Sequence, residues 1–487
     1  MANDETVPVG EISIPPVVPH LSEADSRTKG KVARAQVPRS SHGVFEPRPD
    51  RPDPVALLEE QATTRVPELV PIRYGRMLVS PFAFYRGAAL IMASDLSTTP
   101  RSGLNAQICG DAHLSNFGVF GSPERNLVFD CNDFDETNPG PWEWDVKRLA
   151  ASVVVAARQL GFSKSVRSDA ILALGQSYRE HMRMLAQLSN LEVWYSRIDI
   201  EGVIAALQAQ AQATGSKVEE HMAATATKLV DKALTKDSMK ALDKLTDVVD
   251  GERRIKSDPP LVVPVEELFP ELEGQRTTEF FHGLVRKYRQ SLPTDRKHLL
   301  EQYRFSQMAR KVVGVGSVGT RVWIILLHGP RPEDVLFLQA KEAEASVIER
   351  FTKKSVYANH GARVVAGQRL MQAASDIFLG WQSAEGLDGV TRDFYLRQLQ
   401  DWKGSVDVDS ALPEGVSRYA ALCAQTLARA HARSGDRMAM AAYLGGTPAF
   451  DKALVKFSEA YADQNERDYE AFAEACKSGR LHAEQGL

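Results

Sequence analysis

The chain has 487 residues, 43% of them apolar and 25% charged, the balance of a protein that folds around buried cores. That length exceeds what one core organises, so two or three packed subdomains are expected. A net charge of −4 argues against a nucleic-acid binder, and no apolar run approaches the roughly 18 residues that span a bilayer.

The opening stretch, MANDETVPVGEISIPPVVPH, lacks the basic start and apolar block of a secretion signal. It is Pro-rich, and disorder is expected through about residue 45. Cys109, Cys131, Cys423 and Cys476 form no CxxC and no zinc-like spacing, which reads as reduced thiols in a cytoplasmic protein. From 46 to 305 the pattern is mostly helical. Within it SPFAFYRGAALIMASDL reads as a buried helix, LNAQICGD and RNLVFDCNDFDE as strands, and WEWDVKRLAASVVVAARQLG as a strongly amphipathic helix. Residues 165–300 read as a charged helical insert, with GERRIKSDPP as a linker or turn. Residues 306–403 turn β-rich around a glycine loop, and 404–487 return to helix. The expected fold class is α+β.

Three motifs carry chemistry. Asp111 and Asn116 sit five residues apart in CGDAHLSNFG, a loop that follows a strand directly. Phosphoryl transfer needs a carboxylate to orient the attacking hydroxyl and an amide oxygen to hold Mg²⁺, and this spacing supplies both. A polar turn in which the two side chains bond their own backbone is the plain alternative. Next, Asp130, Asp133, Asp135 and Glu136 crowd a strand end, where they repel one another unless a cation or several donors intervene. A solvated acidic loop is the alternative there, weakened by the apolar Leu127, Val128 and Phe129 that precede it.

Third, Gly314-x-Gly316-x-x-Gly319 lies between two strand patterns rather than ahead of a helix. A β-hairpin of this kind lets backbone N–H groups approach phosphates, unlike the strand–turn–helix of a dinucleotide fold. Lys341 ends the following apolar strand, VLFLQAK, in position to meet phosphates or, alternatively, to face solvent from a sheet edge.

GDAHLSN, VFDCNDFDE and WEWDVKRLA together resemble the catalytic segment of aminoglycoside phosphotransferases and choline kinases, in the protein-kinase-like superfamily. Nearly the whole chain from about residue 45 also resembles a bacterial family known as domain of unknown function 2252. Its hallmarks here are RVPELVPIRYGRMLVSPFAFYRGAA, GDAHLSNFG, NDFDETNPGPWEWDVKRLAAS, KVVGVGSVGTR, RVVAGQRLMQAASDIFLGW and LARAHARSGD.

The motif order is unusual for a kinase-like fold, because the glycine loop and Lys341 follow the Asp111 loop instead of preceding it. The helix pattern at 419–435 ends at Asp436, which has Ala441 rather than Asn five residues on, so it lacks a catalytic loop of its own. A circular permutation accounts for both: reading from 310 to about 435 and then from 106 restores the usual order.

The resemblance implies a bilobal, permuted, ATP- and Mg²⁺-dependent phosphotransferase acting on a small-molecule hydroxyl. Asp111 would be the catalytic carboxylate, and Asn116 and Asp133 would hold Mg²⁺, with Asp130 the runner-up ligand. Lys341 would pair with phosphates under Gly314, Gly316, Ser317 and Gly319. His113, Asp145 and Asp135 would support the site, Asp145 by anchoring the catalytic loop. Arg73, Arg76 and Arg86 would line an acceptor site or anchor the core. Cys109 stands where relatives carry His, Thr-Arg-Val follows the last glycine, and the helix RVVAGQRLMQAA has no Glu for Lys341. Glu342, Glu344 and Glu349 are the candidate substitutes, and Gln368 stands where a Glu is expected. The alternatives are a catalytically divergent nucleotide-binding protein, a nucleotidyl transferase, and a metallophosphoesterase using Asp111 and His113.

Overall fold

The computed structural model describes residues 20–235, 238–249, 252–270, 283–331, 333–386, 388–399, 402–406, 408 and 411–486. Helices and antiparallel sheets share the chain. Among the described residues, no helix is long and apolar enough to cross a membrane.

The largest sheet has six antiparallel strands in the spatial order Gly380–Glu385, Thr391–Gln398, Val335–Ala343, Val322–His328, Arg304–Lys311 and Val262–Pro264. Apolar side chains cover both faces of its central strands, so Val335–Ala343 is buried along its whole length. Helix His360–Met371 packs beside the two strands at one end of the sheet. The edge strand Val262–Pro264 and the hairpin of Thr246–Val249 with Glu252–Ile255 fall inside the stretch expected to be a helical insert. The expected linker GERRIKSDPP thus contributes a strand to that hairpin, although its Gly251 lies outside the described residues. Short β-rich runs between charged helices are easily absorbed into a helical reading, because their apolar residues are few.

Helix Trp142–Gln159 lies at the centre of the main core. Its sequence reads as amphipathic, but it is buried all round, from Trp142 through Ala157. Two charged side chains in its first turns bond to the surrounding loops. Glu143 accepts the Ser102 N–H at 2.6 Å, and Lys147 donates to Thr99 Oγ1 at 3.0 Å. A buried polar group survives only with such partners, so this helix fixes the loops around it. Helices Lys164–Leu185, Pro413–Ser434 and Ala449–Lys477 enclose it.

The expectation of disorder through residue 45 is corrected for the described part. Helix Glu23–Gln36 begins at Ser22, whose hydroxyl accepts the Asp25 N–H at 3.1 Å, and it packs on helix Arg437–Leu444. Its buried face consists of Ser26, Gly30 and Ala33, small residues that bring the two backbones together. Residues 1–19 lie outside the described residues. The buried helix expected at SPFAFYRGAALIMASDL is two helices, Pro81–Gly87 and Ala89–Leu96.

A Cβ on Gly30 would lie 2.0 Å from the Ala439 carbonyl oxygen, whereas one on Gly202, within helix Ile200–Thr214, would meet nothing. Gly30→Ala is therefore expected to lower stability by about 1–3 kcal/mol through overpacking. Gly202→Ala should raise it by roughly 0.4–1 kcal/mol through reduced unfolded-chain freedom. Thermal or denaturant unfolding reads both; a neutral Gly30→Ala contradicts the tight crossing.

Candidate functional site

The Asp111 loop is held from below by one carboxylate. Strand Asn105–Ile108 runs into Cys109 and Gly110, whose N–H groups donate to Asp145 at 2.7 and 2.9 Å. Asp145 is itself within 3.2 Å of His431 Nε2, and the other ring nitrogen of His431 meets the Tyr178 hydroxyl at 2.8 Å. Gly110 has φ +77°, and a Cβ there would come 2.5 Å from the Glu136 carbonyl oxygen, so glycine is required where the loop crosses the acidic segment. Further along, the Leu114 N–H donates to Ser152 Oγ at 3.1 Å, and Tyr419 donates to the Leu114 carbonyl at 3.0 Å.

This scaffold turns the Asp111 carboxylate toward helix Trp142–Gln159, where Arg148 donates to it from Nε at 2.5 Å and also from Nη2. Arg148 is held by the Tyr85 carbonyl at 3.1 Å and lies over the Tyr85 ring. Burial pushes the Asp111 carboxyl up to about 7; the Arg148 guanidinium opposes that shift, and the Asp133 charge adds to it. Asn116 donates from Nδ2 to the Asp111 carbonyl at 2.7 Å, which leaves Oδ1 as its acceptor. His113 is buried 3.8 Å from Asp111, and burial holds its pKa well below the usual range, followed in effect by the charges of Arg148 and Arg86.

The four acids after strand Leu127–Cys131 divide by position. Asp130, still within the strand, is buried and takes Arg429 Nη2 at 2.5 Å and the Ala373 N–H at 2.8 Å. This corrects the expectation of Asp130 as the runner-up metal ligand: its oxygens are committed to structural donors away from the cleft. Asp133, Asp135 and Glu136 lie beyond the strand end and line a cleft of about 770 Å³ together with Asp111 and Asn116. Glu136 also braces the following segment by accepting the Val347 N–H at 2.7 Å.

From the large sheet Lys341 reaches residues that line the cleft. Its Nζ pairs with Asp135, donates to Ser317 Oγ at 2.6 Å, and stands 3.9 Å from Asp133. Its cross-strand partner Tyr395 donates its hydroxyl to the other oxygen of Asp135 at 2.7 Å. Burial opposes the lysine charge, but Asp133 and Asp135 outweigh it and hold the pKa above the ordinary lysine value. For Asp133, burial likewise opposes ionisation and Lys341 overcomes it, so its pKa is lowered.

Neither the expected substitutes for a helix glutamate nor Gln368, where that glutamate is expected, pairs with Lys341. Glu342 points to Arg321 and Arg392, Glu344 accepts from Thr64, Glu349 faces Arg363, and Gln368 bonds Gln372. Lys341 and Glu342 are adjacent in a strand, so their side chains leave opposite faces.

The glycine hairpin closes the cleft from above. Gly314 and Gly319 have φ of +66° and +90°, and a Cβ on Gly316 would meet the Arg86 carbonyl oxygen at 2.9 Å. The helical segment that precedes the Asp111 loop staples the hairpin in place. Arg76 donates to the Gly314 carbonyl at 2.7 Å, Arg65 to the Val318 carbonyl at 2.5 Å, and the Val66 N–H to the Gly319 carbonyl at 2.8 Å.

No group of three His, Cys, Asp or Glu side chains converges as a preformed metal centre among the described residues. Asp133 and Asn116 line the cleft with oxygen acceptors, the donor type that hard divalent cations take. Sequence reasoning missed Arg148 and Tyr395. Arg148 had a legible signal, since it lies three residues after Asp145 and so on the same helix face.

Removing Arg148 withdraws the charge that lowers the Asp111 pKa, so Arg148→Met should move this titration above about 7. A folded-state value above the unfolded one means that the stability linked to Asp111 is present at low pH and lost as pH rises through about 7. Carboxyl-carbon NMR of both proteins reads the shift; an unchanged midpoint contradicts the assigned pair.

Among comparisons with known proteins, the model of the DUF2252 family, described as an uncharacterized protein conserved in bacteria, matches residues 65–475. No curated protein and no solved structure matches the chain. The match spans the Asp111 loop, the acidic segment, the glycine hairpin and Lys341, and the chain belongs to the DUF2252 family.

Proposed function

We propose that the chain is an ATP- and Mg²⁺-dependent phosphotransferase of circularly permuted, protein-kinase-like fold, acting on a small-molecule hydroxyl. The observation that carries this reading is the contact of Lys341 with both Asp135 and the glycine-hairpin Ser317, in the same cleft as Asp111. The order of elements supports it: the glycine hairpin, the Lys341 strand, helix His360–Met371, two strands and helix Pro413–Ser434 follow one another. Support for the permutation comes from the end of that last helix. Ser434 Oγ accepts the Gln107 N–H at 3.0 Å, so the helix stops beside the strand that leads into the Asp111 loop.

In this mechanism Asp111 takes the proton of the acceptor hydroxyl as its oxygen bonds to the terminal phosphorus and the bond to the leaving diphosphate breaks. A base with a pKa of about 7 is matched to that task near neutral pH. Arg148 fixes its orientation. Lys341 and the hairpin N–H groups hold the phosphates in line, and Asp133 and Asn116 would hold the metal. Bound Mg²⁺ supplies neutralisation of the phosphate charge.

A second reading, nucleotide binding without transfer, draws on Lys341 being paired with Asp135 rather than with a helix glutamate. ATP titration with and without Mg²⁺, followed by product analysis, separates the two. Asp133→Ala should lose Mg²⁺-dependent ATP affinity. Asp111→Ala should bind ATP and lose turnover by about 10²–10⁴-fold, the usual worth of a general base. Binding and turnover unaffected by either change contradict the kinase-like reading; binding without transfer by the wild type favours the second.

A further inference from the structure

Two arginines that line the cleft, Arg73 and Arg65, form no ion pair among the described residues. Arg73 is 1% exposed yet lines the cleft. Its Nη2 donates to the Gly87 carbonyl at 3.0 Å and more weakly to Gln61 at 3.4 Å, while Nε and Nη1 have no partner among the described residues. Arg65, which also lines the cleft, bonds the Val318 carbonyl and leaves its Nε without a partner. Among the described residues, no carboxylate lies within ion-pair distance of either guanidinium. Burial, reinforced by the charge of Arg65, lowers the Arg73 pKa.

A structural role does not account for this arrangement. Arg363, a core-anchoring arginine of the same protein, donates to the carbonyls of Thr137, Asp135 and Glu344 at 2.6–2.8 Å and faces Glu349. Arg73 instead keeps two donors, Nε and Nη1, without partners among the described residues, and a guanidinium buried without a counter-ion is costly. An oxyanion in the cleft would supply the missing counter-charge and accept from an unpartnered guanidinium N–H. The position of that guanidinium is defined too: Gly87, whose carbonyl holds Arg73, has its Cα 3.9 Å from a Cβ built on Gly316.

We propose that Arg73 and Arg65 form an oxyanion site in the cleft, built to receive a phosphate group beside the glycine hairpin. The group is either the terminal phosphate of the nucleotide or a phosphate carried by the acceptor. This second step, naming the source, rests on the phosphotransferase reading; the oxyanion site itself does not.

Calorimetric titration of inorganic phosphate into the full-length protein, without nucleotide or metal, tests it. The wild type should bind one phosphate, and Arg73→Gln should weaken binding by about tenfold or more, as expected for a lost charge-assisted bond. Arg73→Lys, which keeps the charge but not the guanidinium donors, should fall between them. If Arg73→Gln fails to fold, as its melting curve would show, Arg65→Gln carries the same expectation. Repeating the titration with Mg²⁺–ADP and with Mg²⁺–adenylyl imidodiphosphate assigns the source. Phosphate excluded only by the imido analogue identifies the nucleotide's terminal phosphate, and phosphate bound beside both identifies the acceptor's. Absence of saturable phosphate binding, or equal binding by wild type and folded variants, overturns the site. Failure to bind nucleotide overturns the phosphotransferase reading and leaves the phosphate result standing.

Discussion

The ion pair between Lys341 and Asp135 joins the large sheet to the acidic loop, and the geometry of the cleft depends on it. Each charge is costly to bury alone, and the contact between them offsets part of that cost. Tyr395 holds the second oxygen of Asp135 and Ser317 accepts from Lys341, so sheet, acidic loop and glycine hairpin meet around these two residues. Asp133, 3.9 Å from the lysine, keeps a face toward the cleft.

A second arrangement sets the floor of the site. Helix Trp142–Gln159 carries Asp145 and Arg148 on one face, and each restrains the Asp111 loop differently. Asp145 takes two backbone N–H groups at the loop's start, which fixes where the chain turns. Arg148 takes the Asp111 side chain, which fixes where the carboxylate points. Because the helix is buried on all sides, these restraints are transmitted from the core rather than from a mobile surface.

Much of this was legible in the residues because the signals are local. Glycine spacing between two strand patterns marked the hairpin, the apolar run before Lys341 marked its strand, and the Asp111 loop followed a recognisable strand end. The partner of Lys341 was not legible, because a helix glutamate was sought and the carboxylate comes from a distant loop. The choice between Asp130 and Asp133 turned on where a strand stops. One residue inside it is delivered to Arg429, while one just beyond it reaches the cleft. Helix Glu23–Gln36 was missed because its buried face is Ser26, Gly30 and Ala33, so close packing of small residues replaced the apolar stripe that periodicity detects. Arg73 was noticed, but only burial without a carboxylate distinguishes a ligand site from a core anchor.

The central claim is that the glycine hairpin and the Asp111 and Asp133 loops close on one ligand. Hydrogen–deuterium exchange of the full-length protein, with and without Mg²⁺–ATP, tests it most directly. Exchange should slow at 312–321, 109–116 and 132–136 together on adding Mg²⁺–ATP, with less protection when ATP is added without metal. Unchanged exchange in all three segments, or protection confined to surfaces away from the cleft, would contradict it.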